Sequence, residues 1–355
     1  MSRAVVLRLP FESLGSIPEG INEVRLYRDE LLECDRVGKR IDLSMVDESS
    51  LPEAATLQQI SHRNVVDVIS AVEVDNYVND PTMRVIEIIT PYYKRGSITD
   101  VLLRGEVFST HDAVLITQAA LRGLRELHVG HRIAHRDIKS GNILLADDRV
   151  HALIADLGVA GRFDKFGEVV AVNNPTIYSP PELLTTGVLT AASDLYSMGL
   201  VLRELLGGRF RYENYNRADI VSDLEAGKVP LHAEDLELPI WTPTSLRKVI
   251  AKATHIDPKK RFQEAKQLDE ALGRIRIANW NSNGAGVWEA THHATPAQKY
   301  RMEAKPLTDG MRISLKKRSA NGWRRPVGYP DFDTSSFSTR EARARFDTAN
   351  DLAAS

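Results

Sequence analysis

Hydrophobic and polar positions follow a short rhythm through the first ninety residues and a longer one afterwards. Ala4 to Leu9, Val24 to Arg28 and Val37 to Leu43 are short stretches rich in Val, Leu and Ile, which predicts strands. Ser50 and Pro52 open a helical stretch through Ile60, since proline suits a first helical turn. Val65 to Val74 and Val85 to Thr90 return to strand character. After Gly96 the spacing lengthens. Ile116, Ala120, Leu124 and Leu127 fall four, four and three apart and line one helix face. Leu195 to Leu206 and Phe262 to Ile277 behave similarly. Strands first and helices second predict an α+β fold of two lobes, over residues 1–93 and 94–278.

The pattern shifts again near Asn279. Asn281-Ser282-Asn283-Gly284-Ala285-Gly286 is polar and glycine-containing, which predicts a linker over residues 279–295. Residues 296–355 read as a small β-β-β-α module. Tyr300, Met302 and Ala304 alternate with Arg301, Glu303 and Lys305, and Met311, Ile313 and Leu315 with Arg312, Ser314 and Lys316. Asp309-Gly310 and Asn321-Gly322 are turn signals. Ser338 with Glu341 forms a capping-box pattern, and Ala342, Phe346, Ala349 and Leu352 line one face of the helix it starts.

Composition narrows the class. A length of 355 residues holds two or three compact units at about 100–200 residues each. At 43% hydrophobic residues the chain is globular rather than disordered. A net charge of −2 gives no global field toward nucleic acid or membrane. The single cysteine, Cys34, excludes an intramolecular disulfide and fits a reducing cytoplasm. No apolar run approaches the ~20 residues of a membrane span, and Arg203 and Glu204 interrupt the nearest, Leu195 to Leu206. Met1 to Pro10 lacks the apolar core of a signal peptide. A cytoplasmic protein without membrane contact is the expectation.

The tail has a local charge. Residues Thr295 to Pro330 carry nine basic side chains against Glu303 and Asp309, a net of +7. Alternation places Arg301, Lys305, Arg312 and Lys316 on one sheet face, which suits nucleic acid or an acidic partner, or is simply a solvated face.

The chemistry concentrates in His135-Arg136-Asp137-Ile138-Lys139-Ser140-Gly141-Asn142, followed by the apolar Ile143-Leu144-Leu145. Phosphoryl transfer needs cations around phosphates and a carboxylate near the attacking hydroxyl, in a rigid frame. In this loop Asp137 would orient the hydroxyl, Lys139 would neutralise charge on the moving phosphate, and Asn142 would hold a metal ion. Residue for residue, the stretch resembles the catalytic loop of eukaryotic-type (Hanks-type) serine/threonine protein kinases.

Other stretches resemble that family in the same order. Asp156-Leu157-Gly158, nineteen residues after Asp137, is similar to its metal-binding Asp-Phe-Gly. Ser179-Pro180-Pro181-Glu182 resembles the Ala-Pro-Glu that closes the activation segment. Asp194 resembles the aspartate that holds the catalytic-loop backbone, and Arg261 the arginine that pairs with Glu182. Val37-Gly38-Lys39-Arg40-Ile41 resembles the Val-Ala-Ile-Lys strand, with Glu53 on the next helix as partner of Lys39.

The resemblance implies a bilobal kinase fold and two cofactors, ATP and Mg²⁺ (or Mn²⁺). It implies a nucleotide pocket of Val24, Val37, Lys39, Leu144 and the hinge Thr90-Pro91-Tyr92-Tyr93, with Asn142 and Asp156 on the metal. It implies transfer to serine or threonine of a protein substrate, on the strength of Lys139, and autophosphorylation. It leaves the oligomeric state open.

Two departures qualify this. Ile17-Pro18-Glu19-Gly20-Ile21-Asn22-Glu23-Val24 stands where the family has G-x-G-x-x-G-x-V, so weak ATP binding is expected. Leu157 to Pro175 contains no Ser, Thr or Tyr, so no phosphate can be placed there, and Asp164 or Glu168 would serve Arg136 as a permanent anion. The alternatives are a pseudokinase scaffold, which the poor glycine loop favours and the retained Lys39, Glu53, Asp137, Asn142 and Asp156 oppose, and a kinase-regulated adaptor working through the tail.

Overall fold

The apolar stretches of the first ninety residues pair into one antiparallel sheet. In the computed structural model, which describes residues 11–17, 23–43, 53–74, 85–148, 150–282, 286–292 and 295–354, its strands are β1 (Phe11–Ile17), β2 (Glu23–Asp29), β3 (Cys34–Asp42), β4 (Ser70–Glu73) and β5 (Val85–Pro91). Their order is β1-β2-β3-β5-β4. The strand expected over Ala4 to Leu9 lies outside the described residues. The expected Val65–Val74 strand shrinks to β4, with Val65 making only an isolated bridge to Ile154. Helix α1 (Glu53–Gln58) fills the place predicted for it.

Register sets which side chains share a face. Val24 pairs with Lys39, Leu26 with Val37, and Val37 with Thr90, so a period of two puts Val24, Val37, Lys39 and Thr90 on one face. The other face carries Tyr27, Gly38, Arg40 and Glu87. There Glu87 is buried and accepts from Tyr27 Oη at 2.5 Å and Arg40 Nε at 3.3 Å.

The second lobe starts with α2 (Ile98–Leu103) and α3 (Thr110–Arg125). The Ser109 hydroxyl accepts from Asp112 N at 3.0 Å and satisfies one open N–H of α3. Ile116, Ala120, Leu124 and Leu127, the predicted face, are all fully buried. At about 1.5–3 kcal/mol per buried large aliphatic side chain, this stripe is what docks the helix. A π-helical turn, Glu126–Gly130, follows. Then come β6 (Ile133–Ala134), β7 (Ile143–Leu145), β8 (Ala152–Ile154), β9 (Gly161–Arg162), β10 (Val169–Val170), α4 (Glu182–Thr185) and β11 (Val188–Leu189). The lobe ends with α5 (Ala191–Gly207), α6 (Arg217–Glu225), α7 (Ala233–Leu236), α8 (Thr244–Ala253) and α9 (Ala265–Gly273). Among these, α5 is buried almost throughout.

The tail is larger than the sequence suggested. Strands β12 (Trp280–Ser282) and β13 (Val287–Thr291) lie within the stretch expected as a linker. They join β14 (Lys299–Leu307), β15 (Gly310–Ser319), β16 (Gly322–Arg324) and β17 (Phe332–Thr334) in one six-stranded sheet, covered by α10 (Arg340–Ala354). The cause is aromatic: Trp280 and Trp288 are buried against α10, with Trp288 edge-on to Phe346 at 5.2 Å. Both turn signals hold, Leu307 pairing with Gly310 and Ser319 with Gly322. Gly310 has φ +118°, and a Cβ there would meet Thr334 O at 2.3 Å. The cap of α10 is not Ser338. The Thr339 hydroxyl accepts from Ala342 N at 3.1 Å, one residue later than the pattern implied.

The tail sheet also sits on the second lobe. Ile240 and Trp241 pack against its core, with Trp241 6.3 Å from Trp288. Asp347 of α10 accepts from Thr244 N at 2.8 Å and Thr244 Oγ1 at 2.6 Å, capping α8 from outside. Asn350 accepts from Ala278 N and donates to Arg276 O.

Candidate active site

The loop after β6 carries the candidate chemistry, and α5 fixes its backbone. Asp194 Oδ2 accepts from His135 N at 2.8 Å, and Oδ1 from Arg136 N at 2.9 Å. His128 Nε2 donates to the same carboxylate at 2.8 Å. Burial pushes the Asp194 carboxyl up, but the hydrogen bond and charge of His128 and the His135 N–H outweigh it and hold the group below the ordinary carboxylate range.

Within the loop, Lys139 Nζ donates to Asp137 Oδ2 at 2.8 Å. Asn142 Nδ2 donates to Asp137 O at 2.8 Å and to Asp137 Oδ2 at 3.0 Å. With its amide nitrogen so engaged, Asn142 keeps an amide oxygen as its metal-facing chemistry. Asp156 follows β8 and has φ +61°, a left-handed conformation unusual for a residue with a Cβ. Lys39 Nζ crosses from β3 to reach Asp156 Oδ1 at 2.5 Å. Burial raises the Asp156 carboxyl, but the Lys39 charge and hydrogen bond, the Gly158 N–H and Lys139 hold it below its usual range. Leu157, in place of the family phenylalanine, is fully buried in the core.

The other predicted residues flank this centre. Val24 is buried, Val37 and Thr90 lie on the same sheet face as Lys39, and Tyr93 is half-buried. Tyr92 is 36% exposed. Leu144 lies opposite Ser97 in a bridge between the loop strand and the segment after the hinge. Glu53 opens α1, but its side chain lies outside the described residues, as does the glycine-poor stretch 18–22.

Arg136 takes a different partner from the one expected. Its guanidinium donates to backbone carbonyls of the activation segment, Val159 at 2.5 Å, Val170 at 2.7 Å and Ala160 at 3.0 Å. Gly161 leaves room for it, since a Cβ there would lie 2.7 Å from Arg136 Cζ. Asp164 instead folds the segment on itself, accepting from Phe166 N at 2.8 Å and Glu168 N at 2.9 Å. The segment closes on Arg261, which grips buried Glu182 with two bonds of 2.6 and 2.8 Å.

One cluster escaped the sequence reading. Glu204 of α5 is fully buried and accepts from Ser140 of the catalytic loop, Tyr178 (2.5 Å), Tyr212 and Phe210 N (3.1 Å). It joins the catalytic loop to the end of the activation segment. The charged pair Arg203-Glu204 inside the apolar run Leu195 to Leu206 was the available signal.

The tail face also differs. Arg301 pairs with Glu289, Lys316 with Glu303, Arg312 with Asp333 and Arg325 with Asp331. The basic residues are interleaved with carboxylates, three of them (Glu289, Asp331, Asp333) from outside the counted stretch, so nine basic side chains meet five carboxylates and the net of +7 falls to +4. Nothing here supports a nucleic-acid partner.

The model of the protein kinase domain matches residues 28–271. The chain belongs to the protein kinase family. This kinase is 33% identical over 179 residues to a probable serine/threonine-protein kinase of Dictyostelium discoideum, covering 49% of this chain and 34% of that protein. It is 29% identical over 276 residues to serine/threonine-protein kinase 12 of Arabidopsis thaliana, covering 75% and 52%. It is 37% identical over 165 residues to calmodulin-binding receptor-like cytoplasmic kinase 3 of the same plant, covering 44% and 31%. The kinase thus spans about a third to a half of the length of these relatives. Among the described residues no helix is long and apolar enough to cross a membrane.

Proposed function

We propose that this kinase transfers the γ-phosphate of ATP to serine or threonine hydroxyls of a protein substrate, and to itself. The observation that carries this reading is the meeting of two lobes at one point: Lys39 of β3 on Asp156, beside the bonded set Asp137, Lys139 and Asn142. Asp137 would accept a hydrogen bond from the attacking hydroxyl, and Lys139 would steady the phosphate as charge develops. Lys39 would hold the α- and β-phosphates, with Glu53 as its second carboxylate. Val24, Val37 and Leu144 would enclose the adenine, and Thr90, Tyr92 and Tyr93 would border it.

An amide oxygen and a carboxylate are hard donors and too few for a protein-only cage. That suits an ion such as Mg²⁺ or Mn²⁺ that shares its shell with phosphates and water, held by Asn142 and Asp156. Such an ion would neutralise the phosphate oxygens when bound. The relatives named as serine/threonine kinases and the lysine at 139 support the acceptor class. A cytoplasmic location accords with the single cysteine.

The test is a radiolabelled ATP assay on the full chain with Asp137→Ala as control. Label on wild-type protein and a loss of about 10³-fold or more in the variant is the expected result. No label on either would leave the scaffold reading standing.

A further inference from the structure

The six-stranded sheet of the tail packs one face under α10 and turns the other outward. Tyr300, Met302, Ile313 and Leu315 are buried on the inner face, so a period of two turns Lys299, Arg301 and Lys305 of β14 and Arg312, Lys316 and Arg318 of β15 outward. Three carboxylates share that face. Glu289 opposes Arg301, Asp333 opposes Arg312, and Glu303 lies between Arg301 and Lys305 in β14. They bond Arg301, Arg312 and Lys316. Lys299, Lys305 and Arg318 are exposed and make no ion pair among the described residues.

Two features of this face point to an anionic partner. One step beyond the Tyr300–Lys317 pair, Lys299 stands opposite Arg318, and the rest of that row is Thr291 beside Lys299 and Trp323 beside Arg318. Like charges directly opposite each other destabilise a sheet, and no carboxylate of the row offsets them. An anion set between the two would. The second feature is Trp323, a half-buried aromatic among charges. The guanidiniums of Arg301 and Arg318 lie over its ring, 4.2 and 5.5 Å from the centroid, and Glu289 fixes Arg301 from Nε at 2.7 Å. The Trp323 indole N–H makes no hydrogen bond among the described residues. A rigid tryptophan beside arginines is the composition of a binding anchor, since such side chains lose little freedom on association.

We propose that this outward face docks an extended acidic segment of a protein, with one carboxylate between Lys299 and Arg318 and a second over Lys305. The two points lie six residues apart on β14, about 20 Å at about 3.4 Å per residue, a span that an extended peptide matches step for step. The stretch between them decides the class of partner. Glu303 and the Ser314 hydroxyl oppose each other there, and both can accept hydrogen bonds. A peptide can set hydroxyl or backbone N–H donors over that row and carboxylates at its ends. A sugar–phosphate strand is charged at every unit and would meet Glu303 wherever it lay along β14. On the phosphotransfer reading the acidic segment belongs to a substrate, which the tail would bring to the catalytic loop. That link rests on the proposed function, whereas docking does not.

The experiment titrates the full chain into a fluorescein-labelled peptide, Glu-Glu-Ser-Gly-Ser-Gly-Glu-Glu, and into its Gln-for-Glu counterpart, read by polarisation at low ionic strength. Saturable binding of the acidic peptide alone is expected, weakening as salt rises. Lys299→Glu should weaken it by about tenfold, because the chain's own carboxylate then takes the place of the ligand's. The same variant should melt at a higher temperature than the wild type, and a lower midpoint would overturn the like-charge account of the row. No saturable binding, equal binding of the Gln peptide, or undiminished binding in Lys299→Glu overturns the docking site. A thymidine oligonucleotide of equal charge that binds more tightly than the peptide would assign the face to nucleic acid and overturn it too. For the substrate link, the acidic peptide joined by a flexible linker to a serine acceptor should have a KM about tenfold below that of its Gln version, at unchanged kcat. Equal KM values overturn the link. Absence of turnover on both would take the link down with the proposed function and leave docking to the polarisation result.

Discussion

Gly38 stands beside the lysine that reaches Asp156, on the opposite sheet face. A Cβ there would lie 2.3 Å from Glu87 Oε1 and 2.5 Å from the Tyr27 ring. Both neighbours are buried and bonded to each other, so neither yields freely. Gly38→Ala should lower stability by about 1–3 kcal/mol, read by thermal melting, and an unchanged midpoint would show that the pair can move aside. The same pair sets an alkaline limit. Burial first, then the bond to Glu87, raises the Tyr27 hydroxyl to about 12. Its folded value is raised, so the stability it contributes is complete below about pH 10 and lost as pH climbs through 12. Tyr27→Phe should remove that part of the alkaline unfolding curve; a curve unaltered by the substitution would assign the pH dependence elsewhere. At this scale the catalytic loop was legible because its chemistry needs fixed residue types at fixed spacing. Glu204 was not, because its partners Ser140 and Tyr178 lie 64 and 26 residues away. Only folding reveals that a charge in an apolar run has found three hydroxyls.

The activation segment, an element of nineteen positions without a hydroxyl from Leu157 to Pro175, is held from three sides. Arg136 grips three of its carbonyls, Asp164 ties off its turn, and Arg261 clamps Glu182 at its end. A guanidinium satisfied by carbonyls supplies the order that an added phosphate gives elsewhere. Phosphatase-treated protein should therefore keep its full rate in the ATP assay. A complete loss, restored by rephosphorylation, would count against this account. Element positions were legible where a period ran long enough, as in α3 and α5. They failed where tertiary contacts decided: β12 and β13 lie in a polar stretch that reads as linker, and only Trp280 and Trp288, buried under α10, make strands of it. The cap at Thr339 rather than Ser338 is the usual uncertainty of a helix end between two adjacent hydroxyls.

For the whole molecule, the two-lobed kinase was readable from its motif order, while the docking of the tail was not, since no local pattern announces that Asp347 will cap a helix begun at Thr244. Asp347→Ala should cost about 1 kcal/mol, the ordinary loss of a helix cap, and calorimetry should show one transition moved down. Two separated transitions in the wild type would mean that the tail and the second lobe melt independently. A chain ended at residue 278 should lose more than this, because Ile240 and Trp241 would face water where they now meet the tail core. The family match stops at residue 271, yet the helix that precedes it is finished by a side chain 103 positions downstream of Thr244. Heredity would register that bond as a constraint. A recombination joint between the two parts would hand on a kinase lobe with a bare helix end, so lineages that carry this lobe should carry the tail with it, as one inherited block.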